Sequence, residues 1–130
     1  MTPLGGTAEV ALSAAQGGKI LVFVVFSTSC PHCQVETKAL NQLFATVDPN
    51  RVSILATSLG EPESKVLRFK ERFACKYPLA TDPQRKLQRP FNIQGVPTYF
   101  MLDGARKVRY QGHAETYDVM NAQLQKLLAE

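Results

Sequence analysis

Ile20-Leu21-Val22-Phe23-Val24-Val25-Phe26 is an unbroken apolar run with no polar position to mark a solvent face. It is far too short to cross a bilayer, and it predicts a central strand covered by helices on both sides. The period then changes. Val35, Ala39, Leu40, Leu43, Phe44 and Val47 recur at helical spacing, and Asp48-Pro49-Asn50 breaks that helix. Val52–Leu59 predicts the next strand, parallel to the first because a helix connects them. A second helix is expected from about Pro62 to Ala74, with Val66, Phe69 and Phe73 on one face. Asp82-Pro83 is expected to begin another short helix, ended near Pro90–Asn92. Pro97–Leu102 reads as an apolar strand, Asp103-Gly104 as a hairpin turn, and Lys107–Gln111 as the returning strand. A last helix would bury Tyr117, Met120, Leu124, Leu127 and Leu128. Ahead of all these, Glu9–Leu12 could form a short strand before a turn through Gly17-Gly18.

The order is therefore a parallel βαβ unit, a helical connection, then an antiparallel ββ pair and a closing helix. With 130 residues and no repeat or linker, one domain is expected, its core spanning about 9–128. The hydrophobic share of 45% and charged share of 20% are ordinary for a soluble globular chain. The net charge of +4 comes from Lys and Arg scattered between residues 65 and 109. Lys65–Arg72 alternates charge with apolar residues, as a solvated helix face does, so no nucleic-acid partner is expected. The residues Met1-Thr2-Pro3-Leu4-Gly5-Gly6 lack the basic start and long apolar middle of a signal peptide.

Chemistry enters at Phe26-Ser27-Thr28-Ser29-Cys30-Pro31-His32-Cys33. Two thiols stand three residues apart, directly after the core strand and at the start of a helix. In that context C-x-x-C reads as a dithiol that cycles with its disulfide. Proline is favoured at the first helical position, so Pro31 makes Cys30 the N-cap. Its sulfur then faces the free N–H groups of His32 and Cys33 and the positive end of the helix dipole, an environment that favours an anion. His32, when protonated, would add a second positive charge. Cys30 is expected to be the nucleophile. Cys33, one turn later and less exposed, is expected to resolve the mixed disulfide. Three cysteines in all argue for one redox pair plus Cys75, which follows Phe73 and reads as a buried thiol.

Gly95-Val96-Pro97-Thr98 opens the fourth strand, and proline at a strand's first residue is sterically allowed. With the C-x-x-C, this element resembles the thioredoxin superfamily, in which a cis-proline lies beside the two cysteines. The closer similarity is to TlpA/ResA-like thiol–disulfide oxidoreductases. It rests on Gly18-Lys19, Phe26, Cys30-Pro31-His32-Cys33, Glu36, Tyr77-Pro78, Asp82, Gly95-Val96-Pro97-Thr98 and Gly112, and covers about residues 9–128.

The resemblance implies a thioredoxin-like α/β fold, a central mixed sheet flanked by helices. It also implies an extracytoplasmic enzyme that exchanges disulfides with protein substrates and a redox partner protein. No cofactor and no metal would be needed, and the expected state is a monomer. Val96, before Pro97, would offer its backbone to an extended substrate segment. Glu36 would assist proton transfer from Cys33, as its counterpart does in ResA-like proteins. The chain departs from the family in two places: Ser29 replaces the usual Trp before the first cysteine, and Val24 stands where thioredoxins proper carry a buried Asp. The Pro-His pair resembles strongly oxidising DsbA-like proteins, whereas the branch as a whole implies reduction.

Other readings remain at this point. The cysteines could form a static disulfide, or bind a metal with His32, although no second Cys/His cluster exists. A peroxidase of peroxiredoxin type is disfavoured because its Pro-x-x-x-Thr-x-x-Cys loop is absent. A non-catalytic module could use the surface around Phe26, Pro31 and Val96 to bind an extended peptide or partner protein.

Overall fold

The computed structural model describes residues 2–3, 19–113 and 115–130. Along the chain come β1 (Thr2–Pro3), β2 (Ile20–Phe26), α1 (Pro31–Thr46), β3 (Val52–Leu59), α2 (Glu63–Arg72), β4 (Leu79–Asp82), β5 (Thr98–Leu102), β6 (Val108–Gly112) and α3 (Tyr117–Leu128). The expected strand at Glu9–Leu12 and the turn at Gly17-Gly18 lie outside the described residues. One mixed sheet has the strand order β1-β4-β3-β2-β5-β6. β2 runs parallel to β3 and antiparallel to β5, and β4 continues the parallel part beside β3. This is the mixed arrangement that the element order predicts and the thioredoxin-like fold that the resemblance implies.

Alternation along β2 separates two cores, because successive strand residues point to opposite faces. Val22, Val24 and Phe26 join Ile54, Ala56, Tyr99 and Met101 under residues of the three described helices: Leu40 and Leu43 of α1, Val66 and Phe69 of α2, Met120 and Leu124 of α3. Leu21, Phe23 and Val25 face the other way, with Leu55, Ile93 and Phe100. That second face was expected to be covered by helix. Among the described residues, irregular chain carrying Leu87, Phe91 and Ile93 packs on that face. The Phe91 ring lies 5.3 Å from that of Phe23 and 5.1 Å from that of Phe100.

The short helix expected from Asp82-Pro83 is a chain of separate turns. Arg85 donates to Asp82 O, Gln88 to Arg85 O and Asn92 to Arg89 O, each a closure of three residues rather than four. Phe91 N–H to Leu87 O is a single four-residue closure among them, and Arg85, near the expected start, has a positive φ of 56° that the interior of a right-handed helix does not accommodate. Asp82 belongs instead to β4, and its carboxylate accepts from the Lys86 and Leu87 amides at 2.9 Å.

α1 is also rotated from its expected setting. Its buried residues are Cys33, Glu36, Thr37, Leu40 and Leu43. Val35 is 74% exposed and Phe44 38% exposed. The N-cap fixes the helix at Cys30, and from there the inward stripe at helical spacing runs through a carboxylate and a hydroxyl.

Candidate active site

The register of β2 sets the stage. Val25 lies opposite Thr98, so the end of β2 and the start of β5 meet at one edge of the sheet. The turn Ser27–Ser29 leaves β2, with Cys30 N–H donating to Ser27 O at 3.2 Å, and α1 begins at Pro31. Cys30 is the N-cap, in extended conformation at φ −83° and ψ 119°. Its Sγ accepts from the Cys33 amide at 3.4 Å and lies 3.8 Å from the carbonyl oxygen of Val96. The Val96–Pro97 peptide bond is cis. The structure thus brings Cys30, Cys33, Val96 and Pro97 together across 66 residues of chain.

Exposure divides the thiols. Cys30 is partly exposed, whereas Cys33 and Cys75 are buried, and all three are free. Burial pushes the Cys33 thiol far up, and the neighbouring Cys30 and Glu36 add to that against a lowering bond from the Ser27 backbone. Cys75 is likewise raised by burial, while the Tyr77 hydroxyl holds it in a hydrogen bond that works the other way.

Glu36 follows Cys33 by one turn on the buried stripe of α1 and is 4% exposed. Burial pushes its carboxyl up to about 7, partly opposed by a bond from the Glu115 backbone. Oε2 is buried with no hydrogen-bond partner among the described residues. A carboxyl titrating near neutrality, electrically coupled to the buried Cys33, can take up and release a proton there. His32 is exposed. With Val35, Glu36, Glu115 and Tyr117 it lines an open groove of about 630 Å³ between α1 and the start of α3.

Two features carry no local sequence signal. Glu61, after β3, accepts from the Thr28 amide at 2.8 Å, the Thr28 hydroxyl at 2.6 Å and the Ser58 hydroxyl at 2.5 Å. Burial would raise its carboxyl, but the Ser58 and Thr28 donors and nearby Lys65 hold it below the ordinary value. An ionised carboxylate therefore pins the turn that delivers Cys30. On the other flank, His113 Nδ1 lies 3.4 Å from the carbonyl of Pro97. Partners 33 residues apart, as Thr28 and Glu61 are, become visible only once β2 and β3 are paired. Among the described residues no cluster of three or more His, Cys, Asp or Glu side chains is arranged to hold a metal ion.

Residues 2–111 match the AhpC/TSA family. The chain belongs to that family. Among curated relatives, thiol-disulfide oxidoreductase ResA of Geobacillus kaustophilus is 32% identical over 92 residues, covering 71% of this chain and 53% of the relative. The chain thus spans about half the length of the curated relatives it matches. Among solved structures, a putative thiol:disulfide interchange protein DsbE from Chlorobium tepidum superposes with a TM-score of 0.83 at 20% identity, covering 99% of this chain and 89% of that one. A secreted Mycobacterium tuberculosis disulfide oxidoreductase homologous to E. coli DsbE superposes with a TM-score of 0.77 at 17% identity, covering 97% and 93%. At those identities the likeness is one of fold, and it agrees with the mixed sheet described above.

Proposed function

We propose that this chain is a thiol–disulfide oxidoreductase of the ResA-like kind, folded as one domain and acting on protein thiols and disulfides outside the cytoplasm. The observation that carries the reading is the placing of a partly exposed N-cap sulfur between the Cys33 amide and the Val96 carbonyl. The relative named as a thiol-disulfide oxidoreductase supports the activity, and the secreted structural neighbour is consistent with the compartment. No helix among the described residues is long and apolar enough to cross a membrane.

In the reducing direction the Cys30 thiolate attacks one sulfur of a substrate disulfide. That bond breaks, a mixed disulfide forms, and the first substrate thiolate leaves. Cys33 then passes its proton to the Glu36 carboxylate and attacks the Cys30 sulfur. The second substrate thiolate departs, and Cys30–Cys33 holds the disulfide. Two electrons have moved from the dithiol to the substrate, and the reverse sequence donates a disulfide. Pro31 supplies the helix start, and the exposed His32 stands beside it. Val96, at the mouth of the site with Pro97 beneath it, offers main-chain groups to an extended substrate segment.

Insulin reduction by the dithiol form tests this directly. The wild-type chain should precipitate insulin B chain in the presence of dithiothreitol, and Cys30→Ser should be inactive. Cys33→Ser should accumulate a mixed disulfide through Cys30. Failure of Cys33→Ser to trap any substrate would overturn the enzyme reading in favour of a binding module.

A further inference from the structure

The three basic residues Lys65, Arg68 and Arg72 recur at helical spacing on one face of α2, and all three are exposed. In the folded chain they are more than a solvated helix face. With Phe69, Phe73 and Thr28 they line a concavity of about 230 Å³. Thr28 belongs to the turn that delivers Cys30, only two residues away. The floor of the concavity is aromatic and continuous with the end of β2: the rings of Phe26 and Phe69 are 4.9 Å apart, and those of Phe69 and Phe73 4.8 Å. Arg72 is held with its guanidinium carbon 5.3 Å from the centre of the Phe73 ring. Stacking of that kind fixes the plane of the guanidinium and leaves its edge free to meet a carboxylate.

Among the described residues, no acidic side chain lines this concavity. Glu63 and Glu71 of α2 itself are not among the residues that line it, and Glu61, which attracts Lys65, has its oxygens turned to the Thr28 amide and hydroxyl and to the Ser58 hydroxyl. The lining is therefore three cations over an apolar base, next to the turn that carries the candidate nucleophile.

We propose that this basic concavity receives an acidic segment of the protein whose disulfide Cys30 attacks. The inference rests on the redox reading above and gives its substrate a chemical character: Asp or Glu residues flanking the reacting cysteine. A substrate strand pairing with Val96 on one side of Cys30 would continue past Thr28 on the other. There its carboxylates would meet Arg68 and Arg72. Attraction of this type acts mainly on the rate of encounter and falls with ionic strength.

The test uses the reduced full chain and two disulfide-bridged peptides of equal length. They differ only in their flanking residues, Asp and Glu in one, Asn and Gln in the other. Second-order rate constants are read by acid quench and mass spectrometry. The acidic peptide should react about tenfold faster at low salt. The double variant Arg68→Glu with Arg72→Glu should bring the ratio to one or below. In the wild-type chain, with no substitution, about 0.5 M salt should remove the preference as well. Equal rates for the two peptides at low salt would overturn the inference while leaving the oxidoreductase reading intact. Reaction of neither peptide would overturn that reading and the inference with it.

Discussion

Replacing Glu36 by Gln should remove a pH dependence that the wild-type fold carries. Burial raises the carboxyl from 4.5 to about 7 in the folded chain. Below pH 4.5 the group is protonated whether folded or unfolded, and it contributes no pH-dependent cost. As pH rises from 4.5 towards 7 the unfolded chain releases this proton while the folded chain retains it, so stability falls through that window. At one unit per 1.36 kcal/mol, the raised value corresponds to about 3 kcal/mol lost by pH 8. Gln keeps the shape and cannot ionise. It leaves an amide group where Oε2 already lacked a partner, an offset that is the same at every pH. Urea unfolding followed by far-UV circular dichroism suits a chain without Trp, and should be run on the reduced protein from pH 4 to pH 8. The gap between variant and wild type should widen by about 3 kcal/mol across that range, with most of the change between the two values above. Parallel stability profiles would refute the buried-carboxyl reasoning, and with it the case for Glu36 as the proton acceptor of Cys33.

Other substitutions probe the surroundings of the site. Glu61→Ala should destabilise the fold by about 2 kcal/mol in the same urea assay, because the Thr28 amide loses a charged acceptor. It should also slow insulin reduction, since the turn before Cys30 is released; unchanged turnover would show that the clamp is merely structural. Gly112→Ala should cost about 1–3 kcal/mol, because a Cβ there would stand 2.7 Å from the buried Tyr99 ring and press on its bond to Gln123. An unchanged unfolding midpoint would mean that β6 yields instead.

What could be read from the chain, and what could not, divides along the range of the contacts involved. β2 was plain in its unbroken apolar run, and the start of α1 in Pro31 and the cysteine before it, because each signal is local. The hairpin after Asp103 follows from its Asp-Gly turn signal, and the buried Met120, Leu124 and Leu127 of α3 from helical period, although Tyr117 and Leu128 of the same stripe are only partly buried. β4 does not follow in this way. It is four residues long, follows Pro78, and becomes a strand through its pairing with Ala56–Leu59. The inward face of α1 does not follow from the spacing of its apolar residues alone. Val35 is exposed, while Glu36 and Thr37 are inside, an arrangement that runs against hydrophobicity at the place where chemistry is proposed. The Glu61 clamp and the basic concavity join residues from separate strands and helices, so they appear only in the folded chain.

The central claim is that the fold makes one sulfur of three available and reactive, the one at the helix start. Differential alkylation tests it most directly: the native reduced chain receives a limiting amount of iodoacetamide, is denatured, and is then labelled with an isotopically heavy form. Peptide mass spectrometry should find the light label on Cys30, with Cys33 and Cys75 carrying the heavy one, as their burial requires. Light label spread evenly over the three cysteines, or found first on Cys33 or Cys75, would contradict the account.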